Sequence, residues 1–372
     1  MKGCLVLVGL VVAVLVGGGV GADAGSRKAT RRRLVPAVFV LGDSTLDVGN
    51  NNHLKGEDVP RADKQFYGID FPGGAKATGR FSNGYNIADF IAKYLGFERS
   101  PVAYLVLKSR NYLIPSAMDR GVSFASAGAG ILDSTNAGNN IPLSQQVRYM
   151  ASTKAAMEAA VGAHKASEIL ADSFFLLGIG SNDLFQSTPK TPADVTALFT
   201  VLVSNYTAAV TDLYGMGARK IGMINVGPVG CVPRVRVLNT TGACHDGMNR
   251  LAMGLATAIK SAVASQAPKL PGLSYSLADS FAASQATFAN PQASGFVSAD
   301  SACCGRGRLG GEGVCMRNST LCGNRDAYMF FDWVHSTQRA AELAAQALFH
   351  DGPPAQVTAP ISFKQLALAG MT

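Results

Sequence analysis

The sequence is poor in charge and in the residues that bind metals. Only 16% of its 372 residues are charged, whereas 48% are hydrophobic, and a chain with that much apolar surface cannot remain unfolded in water. There are five histidines and seven cysteines, and the cysteines lack the CxxC pairs or interleaved histidines of a zinc site. A disordered chain and a structural zinc protein are therefore excluded, and we expect no metal and no cofactor.

The body of the chain also lacks a surplus of positive charge. The formal net charge is +8, but residues 1–33 hold six of the 33 basic residues and one of the 25 acidic residues. Residues 34–372 therefore carry 27 basic and 24 acidic side chains, a net charge of +3. Recognition of nucleic acid needs basic residues concentrated on one face, so we expect no nucleic-acid partner.

Long apolar runs are scarce as well. The sequence suggests a single candidate for a membrane-spanning segment, near residues 4–20. That run follows Lys2 and ends in small residues at Ala22-Asp23-Ala24, which is typical of a cleaved secretory signal, with an uncleaved anchor as the alternative. We predict a signal peptide at 1–24, a basic segment at 25–35 and a single domain at 36–369. The mature protein is then secreted, extracellular or in a cell wall, with no stable membrane insertion.

Cysteine usage fits the same compartment. Without Cys4, which lies in the signal, six cysteines remain, and an even number in an exported chain predicts three disulfides. They are Cys231, Cys244, Cys303, Cys304, Cys315 and Cys322. Three glycosylation sequons begin at Asn205, Asn239 and Asn318, and together with the signal they favour passage through a eukaryotic secretory route.

Strand-like and helix-like stretches alternate along the chain. Apolar, β-branched runs predict strands at 34–41, 121–125, 174–179 and 220–226, and helical spacing predicts helices at 86–95, 143–170 and 194–214. This alternation predicts a three-layer α/β/α fold with a central, mostly parallel sheet.

Polar residues suited to acyl transfer follow these strands. Ser44 comes after the first strand, Gly128 after the second and Asn182 after the third. In a parallel α/β sheet, ligands bind at the carboxyl ends of the strands. Asp332 and His335 are three residues apart, so one turn can supply an imidazole base and the carboxylate that orients it. The backbone N–H groups of Ser44 and Gly128 and the amide of Asn182 could then bind an oxyanion. A glycosidase-type carboxylate pair, Asp47 and Asp183, is the weaker alternative.

Seven sequence blocks resemble, in order, those of the plant GDSL esterase/lipases of the SGNH hydrolase superfamily. They lie at 39–52, 79–84, 121–130, 178–183, 227–233, 302–305 and 332–335. The resemblance implies a flavodoxin-like SGNH fold with Ser44 as nucleophile and oxyanion donor, Gly128 and Asn182 as the other donors, His335 as base and Asp332 as its orienter. Gly130 remains an alternative to Gly128. The resemblance also implies a Cys231–Cys244 disulfide, while the pairing of the other four cysteines stays open.

The sequence departs from that pattern in three places. Thr45 stands where the family has Leu, Ser123 where Asn is usual, and Ser336 where Pro commonly follows the histidine. None of these removes a reacting group, but Ser123 puts in doubt an amide contact beside the oxyanion loop.

The first hypothesis for function is a secreted serine esterase that hydrolyses carboxylic esters through an acyl-enzyme on Ser44. An acyltransferase that uses the same site is the second, and a non-catalytic binding protein of the cell wall on a hydrolase fold is the third. Lipid, cutin-like polyester, acetylated polysaccharide and small-molecule esters all remain possible substrates.

Overall fold

The central sheet is built from short apolar runs that are covered on both faces. The computed structural model of the protein describes residues 32–350 and 357–370. Its strands are β1 (Val38–Gly42), β2 (Gly121–Ser123), β3 (Phe174–Gly178), β4 (Lys220–Ile224), β5 (Ser274–Ala278), β6 (Ser298–Ala302), β7 (Cys304–Gly305), β8 (Thr320–Leu321), β9 (Tyr328–Phe330) and β10 (Thr358–Ala359). Every residue of β1, β2 and β3 is buried, as expected for strands with helices on either side.

Helices occupy most of the chain between these strands. They are α1 (Ile87–Tyr94), α2 (Tyr104–Ser109), α3 (Leu113–Asp119), α4 (Leu143–Val161), α5 (Ala163–Asp172), α6 (Ser181–Gln186), α7 (Pro192–Gly215), α8 (Pro233–Arg236), α9 (Asp246–Gln266), α10 (Ser280–Ala289), α11 (Gln338–Phe349) and α12 (Phe363–Leu368). The predicted signal at 1–24 and residues 25–31 of the predicted basic segment lie outside the described residues.

Six strands form one sheet in the order β10-β5-β4-β3-β1-β2. Strands β1 to β5 are parallel, and β10 pairs antiparallel with β5 at one edge. Counted from the other edge, the parallel strands have the 2-1-3-4-5 order of a flavodoxin-like doubly wound sheet. The predicted three-layer α/β/α fold with a mostly parallel sheet is confirmed. Because the chain turns to opposite sides after β1 and after β3, the adjacent carboxyl ends of these two strands leave a crevice between them.

Successive strand residues point to opposite faces and feed two cores. Phe39 and Phe175 stack with ring centroids 5.0 Å apart in the core that α4, α5, α7 and α9 cover. Val40 and Leu176 point the other way, into the core that α1, α11 and α12 cover. The alternation explains why these strands read as continuous apolar runs.

One predicted helix proves to be two. The pattern at 143–170 predicts a single helix, but α4 ends before Gly162 and α5 begins after it, because Gly162 has a φ of +83° that a right-handed helix does not allow. The expectation of a single helix was wrong at this glycine.

Helix α7 begins two residues before the predicted start at 194, at a cap formed by its own sequence. Thr191 caps the helix with Pro192 in the first turn, and Thr191 and Asp194 form a capping box. Among the described residues, α7 is also long and apolar enough to cross a bilayer by length and composition. It is a second candidate beside the stretch near residues 4–20, which is the one that the sequence suggests. One face of α7, with Leu202, Tyr206 and Leu213, is fully buried in the core against the sheet.

Candidate active site

The turn that carries Ser44 leaves the end of β1. Gly42 closes the strand against β3, where an added Cβ would lie 2.3 Å from the carbonyl oxygen of Gly178. The Asp43 carboxylate then accepts hydrogen bonds from the backbone N–H and the hydroxyl of Thr45, at 2.9 and 2.8 Å. Thr45, one of the three departures from the family pattern, therefore closes the turn around Ser44 with its own hydroxyl.

Ser44, His335 and Asp332 form one hydrogen-bonded chain. The distance from His335 Nε2 to Ser44 Oγ is 2.8 Å, and His335 Nδ1 lies 2.9 and 2.8 Å from the two carboxylate oxygens of Asp332. Asp332 is buried with only 1% of its side chain exposed, whereas 12% of the His335 side chain is exposed. The structure thus joins Ser44 to a turn with Asp332 and His335 that lies 291 positions later in the chain, in the order expected for nucleophile, base and carboxylate.

A tight turn after β9 holds the Asp332 side chain in place. The backbone N–H groups of Val334 and His335 donate to Asp332 Oδ1 at 3.0 and 2.8 Å. Burial raises the pKa of Asp332, but the facing His335 and these backbone donors outweigh it, and the net pKa lies below its usual 3.8. The Asp332 carboxylate is therefore ionised at neutral pH, where it can stabilise a positively charged imidazole.

The three candidate oxyanion donors, Ser44, Gly128 and Asn182, line the same cleft. Within the described residues, no acceptor is bonded to the backbone N–H of Ser44 or of Gly128. Asn182 Nδ2 donates one of its two hydrogens to the carbonyl oxygen of Ala129 at 2.9 Å, which fixes the amide and leaves the other hydrogen for a ligand. Gly128, with a φ of +82°, lines the cleft, whereas Gly130 packs against Asp183 and Thr135. The geometry therefore favours Gly128 over Gly130 as the donor.

The cleft above these groups has a volume of about 340 Å³ and a mixed lining. Its apolar lining residues include Phe185, Val229, Val232 and Trp333, and its polar lining residues include Asp58, Arg61, Lys64, Asn136 and Asn139. Such a cleft suits a ligand with both apolar and polar groups.

The family model described as GDSL-like lipase/acylhydrolase matches residues 38–348. The chain belongs to this family. GDSL esterase/lipase At1g71250 from Arabidopsis thaliana is 35% identical over 353 residues, which cover 91% of each chain. GDSL esterase/lipase APG from the same plant is 34% identical over 333 residues, which cover 86% of this chain and 92% of that relative. The predicted class, a GDSL-type carboxylic ester hydrolase, is confirmed.

Solved structures show a more distant likeness. A catalytic mutant of Axe2, an acetylxylan esterase from Geobacillus stearothermophilus, is 12% identical with a TM-score of 0.33, over 84% of this chain and 92% of that chain. A likeness this weak gives no information about the substrate of this GDSL-family protein.

Two buried carboxylates hold the loop at 126–132 that carries Gly128, the proposed oxyanion loop of this GDSL-family protein. Asp47 accepts hydrogen bonds from the backbone N–H groups of Gly49, Asn50 and Ala127, at 2.7, 2.8 and 3.0 Å. On the other side of the loop, Asp183 accepts from the backbone at residues 131 and 132 and from the hydroxyl at 135. Burial raises the pKa of Asp47 to about 6 and also raises the pKa of Asp183. Both carboxylates accept several hydrogen bonds from surrounding backbone N–H groups. This arrangement gives no support to the glycosidase-type pair.

Ser123 and Ser336 have different surroundings. The hydroxyl of Ser123 is buried and has no hydrogen-bond partner, while Asn50 Nδ2 donates to the carbonyl oxygens of Ser123 and Ala125, both at 2.9 Å. An amide contact thus still joins β2 to the Ser44 region, but it comes from Asn50, which sequence reasoning missed. Ser336 forms an antiparallel bridge with Phe330 that closes the turn of the Asp-His pair.

Sequence reasoning also missed Tyr67, whose hydroxyl donates to Asp332 Oδ2 at 2.7 Å. The two residues are 265 positions apart, and Tyr67 lies in a loop segment with no periodicity, so no sequence signal joins them.

Among the described residues, no group of three or more His, Cys, Asp or Glu side chains could hold a metal ion.

All six predicted cysteines are paired in the structure. Cys231 bonds to Cys244, the pair that the resemblance implies, and the two pairs left open by the sequence are Cys303–Cys322 and Cys304–Cys315. The sequon residues are exposed, with Asn205 on α7 and Asn239 and Asn318 in turns.

Proposed function

We propose that this GDSL-family protein is a secreted serine esterase that forms an acyl-enzyme on Ser44. The observation that carries the proposal is the unbroken hydrogen-bonded chain from Ser44 Oγ through His335 to the buried Asp332. A neutral imidazole 2.8 Å from the hydroxyl can take its proton as the oxygen attacks the ester carbonyl carbon. The imidazolium that forms is stabilised by the ionised carboxylate.

The tetrahedral intermediate then places its negative oxygen among three donors. These are the unbonded N–H groups of Ser44 and Gly128 and the free amide hydrogen of Asn182. His335 returns the proton to the departing alcohol, which leaves the acyl group on Ser44. In the second half-reaction His335 deprotonates a water molecule, the hydroxide attacks the acyl carbon, and the serine leaves with a proton.

Secretion is supported by features distributed along the chain. The predicted signal at 1–24 would direct export, three disulfides suit an oxidising compartment, and three sequons are exposed. The site is suited to the ester group of a substrate, and the lipid, cutin-like and acetylated polysaccharide classes are each compatible with a cleft lined by both apolar and polar residues.

Labelling with a fluorophosphonate probe tests the nucleophile. We expect the mature protein to be labelled on Ser44, as located by peptide mass spectrometry, and Ser44→Ala to be folded, unlabelled and inactive. Ser204→Ala is the matched control, because Ser204 is exposed on α7 away from the cleft, and it should label and turn over as the unmodified protein does. Turnover of Ser44→Ala at the original rate would contradict the proposal, as would label on another serine.

The fate of the acyl group distinguishes hydrolysis from transfer. We expect water to take most of the acyl group even at millimolar concentrations of glycerol or a sugar alcohol, because nothing in the cleft marks a dedicated acceptor site. An acceptor held for attack would instead have an effective molarity of about 10⁵ M or more and capture most of the product. Majority transfer, measured by mass spectrometry of the products, would replace esterase by acyltransferase and leave the roles of Ser44, Asp332 and His335 unchanged.

A further inference from the structure

The two oxygens of the Asp332 carboxylate are held by different parts of the protein. Oδ1 accepts the backbone N–H groups of Val334 and His335, which belong to the same turn. Oδ2 accepts the hydroxyl of Tyr67 at 2.7 Å, and it also lies 2.8 Å from His335 Nδ1. The tyrosine is thus hydrogen-bonded to the same oxygen that faces the base.

The ring of Tyr67 is fixed by aromatic neighbours. It packs edge-on against Phe81 and Phe331, with ring centroids 5.8 and 5.4 Å apart. Phe81 in turn lies against the imidazole of His335, at 4.8 Å between centroids. Burial raises the pKa of Tyr67 well above 10, so the hydroxyl keeps its proton and remains a donor at any pH at which the enzyme would work.

We propose that Tyr67 is a positioning residue that acts through Asp332 to set the orientation and the proton affinity of His335. The inference rests on the proposed function, because it gives Tyr67 a role only if His335 is the base for Ser44. Tyr67 would not touch the reacting atoms.

The direction of the effect follows from the charge on the carboxylate. A hydrogen bond to an ion is stronger when that ion has no nearby counterion, so Tyr67 stabilises Asp332 more when the imidazole is neutral than when it is positive. The hydroxyl therefore favours the neutral imidazole, which is the form that accepts the serine proton. Without the hydroxyl, the imidazole should bind a proton more tightly, and activity should be lost at a higher pH on the acid side.

Other charged groups lie near His335 or line the same cleft. Asp43 lies in the turn after β1 and interacts with the His335 charge, and the cleft walls carry Asp58, Arg61, Lys64 and Arg234. Tyr67→Phe removes one oxygen atom and leaves all of these groups in place. A change in the pH profile of this variant can therefore be assigned to the lost hydrogen bond.

Tyr67→Phe tests the inference, with Tyr206→Phe as the matched control, since Tyr206 is a fully buried tyrosine on α7 in the core. The measurements are kcat/KM for an activated short-chain ester, and the rate of fluorophosphonate labelling at Ser44, each from pH 4 to 9. For Tyr67→Phe we expect the midpoint of the acid limb to move up by about half a pH unit, and kcat on the plateau to fall about fivefold with little change in KM. Tyr206→Phe should keep the original midpoint.

Two results would overturn the inference. One is a folded Tyr67→Phe protein whose acid limb and kcat match those of the unmodified enzyme. The other is a loss of thermal stability and activity with no movement of the acid limb, which is what a purely structural tyrosine would give. Failure of the proposed function looks different, because the unmodified protein would then not label on Ser44 at all, and that result overturns both.

Discussion

Asn182→Ala removes the one proposed oxyanion donor that a side-chain substitution can delete. The other two donors are the backbone N–H groups of Ser44 and Gly128, which every side-chain variant retains. Asn182 Nδ2 is anchored by the carbonyl oxygen of Ala129 at 2.9 Å, so its remaining hydrogen has a fixed direction in the free enzyme. A preorganised donor of this kind acts mainly in the transition state, where the negative charge on the oxygen is largest.

For Asn182→Ala, the expected loss in kcat is much larger than the expected loss in stability. Loss of one such donor lowers kcat by about 10² to 10³. Within the described part of the chain, the Asn182 side chain makes one hydrogen bond, to the Ala129 carbonyl oxygen, which is worth about 1 kcal/mol and lies in a partly buried position. We therefore expect a folded protein with a small decrease in thermal stability and a large decrease in kcat, with KM changed much less.

Steady-state kinetics on an activated short-chain ester measure this, together with thermal unfolding of each variant. Gln145→Ala is the control, because Gln145 carries the same kind of side-chain amide on α4, where it accepts hydrogen bonds from Arg148, and does not line the cleft. Asn182→Asp extends the test, since a carboxylate in place of the amide lacks the donor and repels the oxyanion, so its kcat should fall below that of Asn182→Ala. A kcat within about threefold of the unmodified enzyme for Asn182→Ala would refute the oxyanion assignment, which ascribes a loss of about 10² or more to this donor.

Further predictions concern acid pH, the oxyanion loop and one buried ion pair. Because the pKa of Asp332 is lowered, its carboxylate stays ionised on the acid side, and activity should fall as pH decreases because a protonated His335 cannot take the serine proton and because Asp47, whose pKa burial raises to about 6, loses its charge in the same range; a flat profile from pH 5 to 8 would contradict this. Asp47→Asn should lower kcat by about tenfold or more, because the amide cannot accept all three backbone bonds that hold the loop, and circular dichroism should show an intact fold. Arg80→Met should destabilise the protein by about 3 to 5 kcal/mol in urea unfolding, since it leaves the buried Asp89, now paired bidentately at 2.6 and 2.8 Å, without its partner.

Much of the fold could be predicted from local patterns. The strands predicted at 174–179 and 220–226 and the helix predicted at 194–214 match β3, β4 and α7 to within two residues at each end, because local apolar patterns were enough to place them. The bend at Gly162 was missed because the apolar periodicity continues across it. Strand β10 has only two residues and pairs with a strand 80 positions earlier, so it leaves almost no pattern in the sequence.

The chemistry of the site is also largely local. A serine after a strand, an asparagine after another and an Asp-x-x-His turn each depend on residues within a few positions of one another, and the sequence by itself determined which groups are available. The order of the parallel strands then decides that Ser44 and Asn182 meet, since β1 and β3 are neighbours in the sheet. That adjacency could be expected from the fold class.

Only the tertiary structure decided which partners support those groups. It placed the Tyr67 hydroxyl on the Asp332 carboxylate, committed Asp47 and Asp183 to the oxyanion loop, and joined Cys303 to Cys322 rather than to another cysteine. Each of these contacts depends on the path of an irregular segment or on a bond between residues far apart in the chain. Loop paths are set by many weak, long-range contacts at once, and helical or strand periodicity carries no record of them.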